Sequence, residues 1–225
     1  MSGDIKIISL NCSIKNNDKF EALASFIDSQ NPDMVVLQEV NLTDEDFSKK
    51  VNSLLKVPFQ FSKTEVVETY TTSNGDTYTQ GQSILSRFKI ESSKKNLTNV
   101  GLDRHNRIAQ FVDFYKNGEK IKLANVHFAA KENKLVQLEE VVSEKPDIIV
   151  GDFNIRGQDL KDSLFGRDDF NAACEFFDSV SSPGPAMFFQ IDHCLISRKF
   201  TFREFDIFDG LSDHNALIFE IGENE

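Results

Sequence analysis

Residues 5–11, Ile5-Lys-Ile-Ile-Ser-Leu-Asn11, and residues 121–127, Ile121-Lys-Leu-Ala-Asn-Val-His127, carry one signal twice: an apolar run that ends on a polar side chain. After the first, Phe20, Leu23, Ala24 and Ile27 recur at helical spacing, and a buried-type run follows from Met34 to Leu37. After the second, Leu135, Leu138, Val141 and Val142 repeat that spacing before Pro146-Asp-Ile-Ile-Val150. Short apolar runs joined by an amphipathic helix read as two parallel strands and their crossover. Aligning Ile5 with Ile121 gives an offset of 116 (121 − 5), which sets Asn11 opposite His127. Aligning Pro32 with Pro146 gives 114 (146 − 32), which sets Gln38-Glu39 opposite Asp152-Phe153. The chain is expected to contain an architectural duplication in which polar residues leave equivalent strand ends.

Working outward, Phe47, Val51, Leu54 and Leu55 suggest a further helix. Ser73-Asn-Gly-Asp76 and Asn117-Gly118 are hairpin turns, because Asn-Gly readily supplies positive φ. Strands are expected at Gln82 to Leu85, Ile108 to Tyr115, Lys120 to Val126, Ile191 to Ile196 and Ala216 to Ile221. Between Asn154 and Met187 the pattern is irregular, and Ser181-Ser-Pro-Gly-Pro185 reads as a rigid loop. Parallel crossovers mixed with antiparallel hairpins predict an α/β fold: two mixed β-sheets packed face to face with helices outside, a four-layered α/β sandwich. With 225 residues and 40% hydrophobic content, a single domain spanning 1–225 suffices to bury one large core.

The formal net charge is −11, which argues against a broad basic face that wraps nucleic acid; any such contact is expected to be local. The start of the chain has no cationic segment leading into an apolar one, and no apolar run is long enough to cross a bilayer. Cys12, Cys174 and Cys194 are scattered, with neither zinc-knuckle nor disulfide spacing. A cytoplasmic location is expected, with no transmembrane segment and no obligate protein partner.

Glu39 follows Val35-Val-Leu-Gln, and Asp152 follows Ile148-Ile-Val-Gly, so both carboxylates emerge where a buried strand meets a loop. That is where active sites of open sheets form, although a lone acid there also serves as a turn residue. In Gly151-Asp-Phe-Asn154, Asp152 and Asn154 face one substrate if the backbone stays extended; an Asx-type turn is the alternative. Ser212-Asp-His214 places a carboxylate and an imidazole at the mouth of the final strand, where histidine can protonate or stabilise a leaving oxygen. Asp192 lies in an otherwise apolar strand and needs a partner, for which His214 is the candidate. On a regular strand His193 points to the opposite face and packs, while His105 reads as solvent-exposed. Arg107, at a strand start, suits bidentate phosphate binding or a surface ion pair.

Taken in order, Ser-Leu-Asn11, Leu-Gln-Glu39, Asn-Val-His127, Gly-Asp152-Phe-Asn154, Ile-Asp192-His and Ser-Asp213-His214 resemble the DNase I-like endonuclease/exonuclease/phosphatase superfamily. The resemblance spans nearly the whole chain and implies the doubled α/β sandwich. It also implies a metal-dependent phosphoester hydrolase using Mg²⁺, with Mn²⁺ as a substitute. In that pattern Glu39 binds the ion, with Asn11 and Asp213 close to it, and Asp152 orients or deprotonates the attacking water. Asn154 positions that water or a phosphoryl oxygen. His127 and His214 neutralise growing charge, and Asp192 fixes the second ring. Arg107, His127 and Asn154 are the expected phosphate-binding set.

Departures from the pattern narrow the branch. The abasic-site repair branch usually has tyrosine where this chain has His127, this chain has no tryptophan, and its Asn154-to-Asp192 segment is short. Histidine there resembles the deoxyribonuclease, tyrosyl-DNA phosphodiesterase, sphingomyelinase and inositol phosphatase branches, and Gly151-Asp-Phe-Asn-Ile-Arg156 is similar to the tyrosyl-DNA branch, from whose pattern the next residues depart. The leading expectation is a phosphodiesterase acting on nucleic-acid ends or strands. A hydrolase of small soluble phosphoesters such as inositol phosphates is the alternative, followed by a non-catalytic binding module on the same fold.

Overall fold

The computed structural model describes residues 3–14, 19–101, 105–164, 170–172 and 191–224. The first half-motif forms β1 (Ile5–Asn11), α1 (Phe20–Gln30) and β2 (Met34–Asn41). Then come α2 (Phe47–Leu54), β3 (Phe61–Thr71), β4 (Thr77–Ser86), β5 (Ile90–Asn96) and β6 (Ile108–Lys116). The second half-motif is β7 (Glu119–His127), α3 (Lys134–Val142) and β8 (Ile148–Asp152). α4 (Gly157–Leu164), β9 (Phe170–Ala172), β10 (Asp192–Ser197), β11 (Phe200–Phe208) and β12 (Ala216–Glu223) complete the described elements.

Two six-stranded sheets result, ordered β11-β12-β1-β2-β4-β3 and β5-β6-β7-β8-β10-β9. Each is mixed: β1 pairs with β2 and β7 with β8 in parallel, as the crossovers require, and the flanking pairs are antiparallel. At the β6–β7 turn, Asn117 and Gly118 both take positive φ, 52° and 85°, which suits a tight hairpin. The helix α2 is capped by Asp46, whose side chain accepts from the backbone N–H of Ser48 and Lys49, an arrangement that contributes about 1 kcal/mol.

Strand alternation sorts the core into layers. Ile5 and Ile7 of β1, Ile121 and Leu123 of β7, Ile148 and Val150 of β8, and Cys194 and Ile196 of β10 fill one cluster between the sheets. Their strand neighbours face outward: Ile8 and Leu10 pack with Leu23, Phe26 and Ile27 of α1, whereas Ile149 and Leu195 pack with Leu138 and Val141 of α3 and Leu160 of α4. Each side chain fully buried this way contributes roughly 1.5–3 kcal/mol. The same period of two carries past the apolar cluster. Asn11, His127, Asp152 and Asp192 are each in phase with the inward-facing residues of their strands, so the pattern that builds the core also delivers four polar groups to the rim between the sheets.

Several elements differ from the sequence reading. β5 is rich in Lys, Ser and Glu, which hides an apolar period; the apolar alternation of β11 slips at the register shift between Phe202 and Glu204; and α4 and β9 fall inside the stretch read as irregular. Leu135, expected on the buried face of α3, is 42% exposed, and Gln137 is buried instead. Its Oε1 accepts from Ala129 N at 2.7 Å and its Nε2 donates to Thr98 O at 2.6 Å. The expected loop at 181–185 and Cys174 lie outside the described residues; Cys12 and Cys194 are buried. No helix among the described residues is long and apolar enough to cross a membrane.

Candidate active site

Register explains how the two halves converge. Asn11 pairs with Gln38 across β1–β2, and His127 pairs with Asp152 across β7–β8. The counterpart of Asp152 is therefore Gln38, as the Pro32–Pro146 alignment has it, and Glu39 is the residue after it. Gln38 points between the sheets, its Nε2 donating to Asn125 Oδ1 at 2.9 Å and to Ser9 Oγ at 3.3 Å. Glu39 reaches the rim because the β2–β4 register shifts between Leu37 and Val40, with Glu39 at φ 50°, an uncommon backbone state for a residue with a side chain. Gly151 has its own geometric requirement: at φ 140°, a Cβ there would lie 2.1 Å from Val126 O.

At the rim, Asn11 Nδ2 donates to Glu39 Oε1 at 3.3 Å and to Asp152 Oδ2 at 3.1 Å, while its Oδ1 accepts from Ser13 N at 3.0 Å. Glu39 Oε2 accepts from Ile14 N at 3.3 Å. His127 Nε2 stands 3.4 Å from Asp152 Oδ2 and 3.8 Å from Glu39 Oε1. On the other side His214 Nε2 is 3.9 Å from the same Asp152 oxygen. His214 Nδ1 meets Asp192 Oδ2 at 2.8 Å, so the partner expected for the strand-borne Asp192 is the one present.

Electrostatics separate the two rings. Burial lowers the pKa of His214, but Asp192, Asp152 and Asp213 outweigh it and raise the ring to about 10, so His214 carries its proton at neutral pH. His127 goes the other way: burial and the Arg107 guanidinium hold it well below the ordinary histidine range. Arg107 Nη1 donates to His127 Nε2 at 3.2 Å, closer than either carboxylate. The sequence reading assigned charge neutralisation to both histidines; on this wall the positive charge belongs to Arg107, which is 7% exposed and whose Nε has no acceptor. Burial raises the Asp152 carboxyl to about 7; Asp192 and Glu39 push the same way, against His214 and the Asn154 N–H.

Asn154 departs from the extended geometry that would point it alongside Asp152. It sits at φ 51° with its N–H donating to Asp152 Oδ1 at 2.9 Å, so the segment is an Asx-type turn. Its Nδ2 donates to Phe128 O at 3.0 Å, and Lys134 Nζ donates to its carbonyl at 2.8 Å. His193 points away from the rim as expected, bonding Ile155 O through Nε2 at 2.8 Å and packing edge-on against Phe153.

Beside Glu39 lies a hollow of about 280 Å³ lined by Ser13, Ile14, Glu39, Tyr70, Gln80, His105, Arg107 and Asp213. Asp213 thus shares a hollow with Glu39. His105 is not simply solvated: its Nδ1 bonds Glu68 Oε1, and it lines the cleft. Tyr70 and Gln80 were not read as site residues because hairpin strands β3 and β4 carry no polar motif at a strand end.

The rim fits a hard divalent cation. Two carboxylates converge on one amide nitrogen, and the charge they concentrate at a buried position is what such an ion offsets; oxygen donors of this kind suit Mg²⁺ or Mn²⁺. A second cluster, Asp152, Asp192 and His214, brings ligand atoms within 4.8 Å of one another.

Comparison with known proteins places the chain. The model of the Endonuclease/Exonuclease/phosphatase family matches residues 8–214, and the chain belongs to that family. Among solved structures it is similar to an endonuclease/exonuclease/phosphatase from Beutenbergia cavernae, with TM-score 0.82, 16% identity, and coverage of 98% of this chain and 72% of that one. A family member from Bacteroides vulgatus gives TM-score 0.75 at 16% identity, covering 98% and 99% of the two chains. D. rerio TDP2, solved with a single-strand DNA product, gives TM-score 0.71 at 16% identity, covering 97% and 99%. A search of curated proteins returns no match. At these identities the structural likeness establishes the fold, the DNase I-like sandwich, and the family is one of phosphoester hydrolases.

Proposed function

We propose that this chain is a Mg²⁺-dependent phosphodiesterase acting on nucleic-acid ends or strands, with Mn²⁺ able to substitute. The observation that carries the reading is the environment of Asp152 Oδ2, shared by Asn11, His127 and His214, with Asp192 behind the last ring. Glu39, Asn11 and Asp213 would hold the cation, which when bound supplies Lewis-acid neutralisation of phosphoryl charge.

The side chains supply the rest. Asp152 takes the proton of a water whose oxygen bonds to phosphorus as the ester bond opposite breaks in line. A carboxyl raised to about 7 is a competent base near neutrality. His214, already protonated, offers charge to the phosphoryl oxygens and its proton to the departing oxygen, and Asp192 keeps the ring oriented. Arg107 grips a non-bridging oxygen with His127 fixing its angle, and Asn154 holds Asp152 through its N–H.

The net charge of −11 favours a second reading, hydrolysis of small soluble phosphoesters such as inositol phosphates. A binding module without chemistry would not need a raised carboxyl beside a protonated histidine. Assays with Mg²⁺ against single- and double-stranded DNA, RNA, 5′-tyrosyl DNA and inositol phosphates decide between the first two. The nucleic-acid reading expects turnover of a polynucleotide with affinity falling steeply with salt. Turnover confined to small phosphoesters overturns it.

A further inference from the structure

Facing the phosphate side of the hollow is a wall that the chemistry above does not use. Tyr70 and His105 line the same space as Glu39, Arg107 and Asp213. Their rings meet edge to face, centroids 5.0 Å apart at 71°, and Tyr78 backs Tyr70 at 6.0 Å. Glu68 fixes the assembly with both oxygens, one on His105 Nδ1 and the other accepting from Asn106 N at 2.9 Å. The side chain of Glu68 is only 7% exposed, so a largely buried carboxylate is committed to holding this imidazole in place. A register shift between Val66 and Glu68 sets that position on β3.

Core packing does not account for the pair. Tyr70 and His105 belong to none of the three apolar clusters, and the His105 side chain is 42% exposed. Two rings held rigid at a cleft edge lose little freedom when a ligand arrives, which is how a surface is prepared to bind a flat partner. The hollow, about 280 Å³, falls just below the usual range of ligand pockets, roughly 300–1,000 Å³, and so suits one ring-bearing unit rather than a duplex.

We infer that Tyr70 and His105 form a ring-binding wall that selects phosphodiesters in which a nucleobase is carried next to the scissile phosphate, with Glu68 as the residue that positions it. This rests on the phosphodiesterase reading and narrows it to nucleotide esters. The base lies against the Tyr70–His105 wall while Arg107 and the rim take the phosphate; aromatic faces accept any base, so selection is for a ring and not for a sequence.

The test compares two substrates in Mg²⁺, thymidine 5′-(4-nitrophenyl phosphate) and the corresponding ester of 1,2-dideoxyribose 5-phosphate, which lacks the base, by release of 4-nitrophenolate. The wild-type protein is expected to favour the base-bearing ester by about tenfold in kcat/KM, mostly through KM. Tyr70→Leu and His105→Ala should each collapse that ratio toward one, Tyr70→Phe should keep it, and Glu68→Gln should reduce it. Tyr70→Leu retains apolar bulk, and thermal melting of each variant confirms folding. A wild-type ratio near one, or a ratio unchanged in both folded ring variants, overturns the inference while leaving phosphodiester hydrolysis standing. Failure of both esters to turn over removes the phosphodiesterase reading itself, and this inference with it.

Discussion

Asn11 gives one amide nitrogen to two carboxylates, Glu39 at 3.3 Å and Asp152 at 3.1 Å, and thereby ties the two sheets together at the rim. Asn11→Asp replaces the donor with a third negative charge while keeping the shape. Loss of a buried donor to two acceptors is expected to cost about 1–3 kcal/mol of stability at pH 7 in EDTA. Mg²⁺ should recover part of that loss. Thermal melts with and without Mg²⁺ check this, and a variant as stable as wild type in EDTA would show that the bridge contributes nothing.

The raised carboxyl of Asp152 makes a prediction about pH and stability. In the unfolded chain the group ionises near 3.8, whereas in the fold burial, Asp192 and Glu39 hold its proton to about 7. Between those values the folded state binds a proton that the unfolded state has released, so metal-free stability falls as pH rises through this window. Asp152→Asn removes that contribution and should raise the melting temperature at pH 7 in EDTA, with a smaller difference at pH 4. Parallel melting curves for both proteins across the window would contradict the assignment.

For His214 the slope has the same sign in a more alkaline window. Its pKa is raised from 6.5 to about 10, so its pairing with Asp192 contributes fully below about 6.5 and is lost as pH climbs through about 10. Asp192→Asn removes the main attraction, and the alkaline limb of the kcat/KM profile should move toward neutrality. Turnover should fall by about a hundredfold, the scale for acid–base participants. An unmoved alkaline limb would exclude His214 as the group that must stay protonated.

Arg107→Lys tests whether the guanidinium acts as a fork. Lysine keeps the charge but cannot donate to His127 and to a phosphoryl oxygen in the same plane. KM should rise about tenfold or more, the equivalent of one charge-assisted hydrogen bond of roughly 1.5 kcal/mol. Steady-state kinetics on a minimal diester are sufficient, and an unchanged KM would assign Arg107 a purely structural role.

The fold was legible where side-chain period and turn chemistry agreed. The two half-motifs, the Asn-Gly hairpin at 117–118 and the final strand all follow from them, as does the layered sandwich. β5 escaped because this edge strand carries polar residues on both faces, and β11 because a register shift between Phe202 and Glu204 breaks the alternation of its apolar residues. The rim positions were legible because Asn11, His127 and Asp152 close strands, Asp192 opens one, and His214 stands just before the last. Their environment was not: the shift that turns Glu39 inward, the Asx turn at Asn154 and the capture of His127 by Arg107 depend on contacts between distant strands. Tyr70 had no local signal, since its place in the cleft comes from its contact with His105, far away in sequence.

The central claim is that Asp152, seated between two histidines at the shared rim, activates water for attack on a phosphodiester in a cation-dependent reaction. Turnover of bis(4-nitrophenyl) phosphate by wild type and Asp152→Asn, each in Mg²⁺ and in EDTA, tests it most directly. The wild-type protein should be active in Mg²⁺ and silent in EDTA, and the folded variant should lose at least about a hundredfold in kcat. A cooperatively folded Asp152→Asn protein that retains wild-type turnover, or wild-type turnover indifferent to EDTA, would contradict the account.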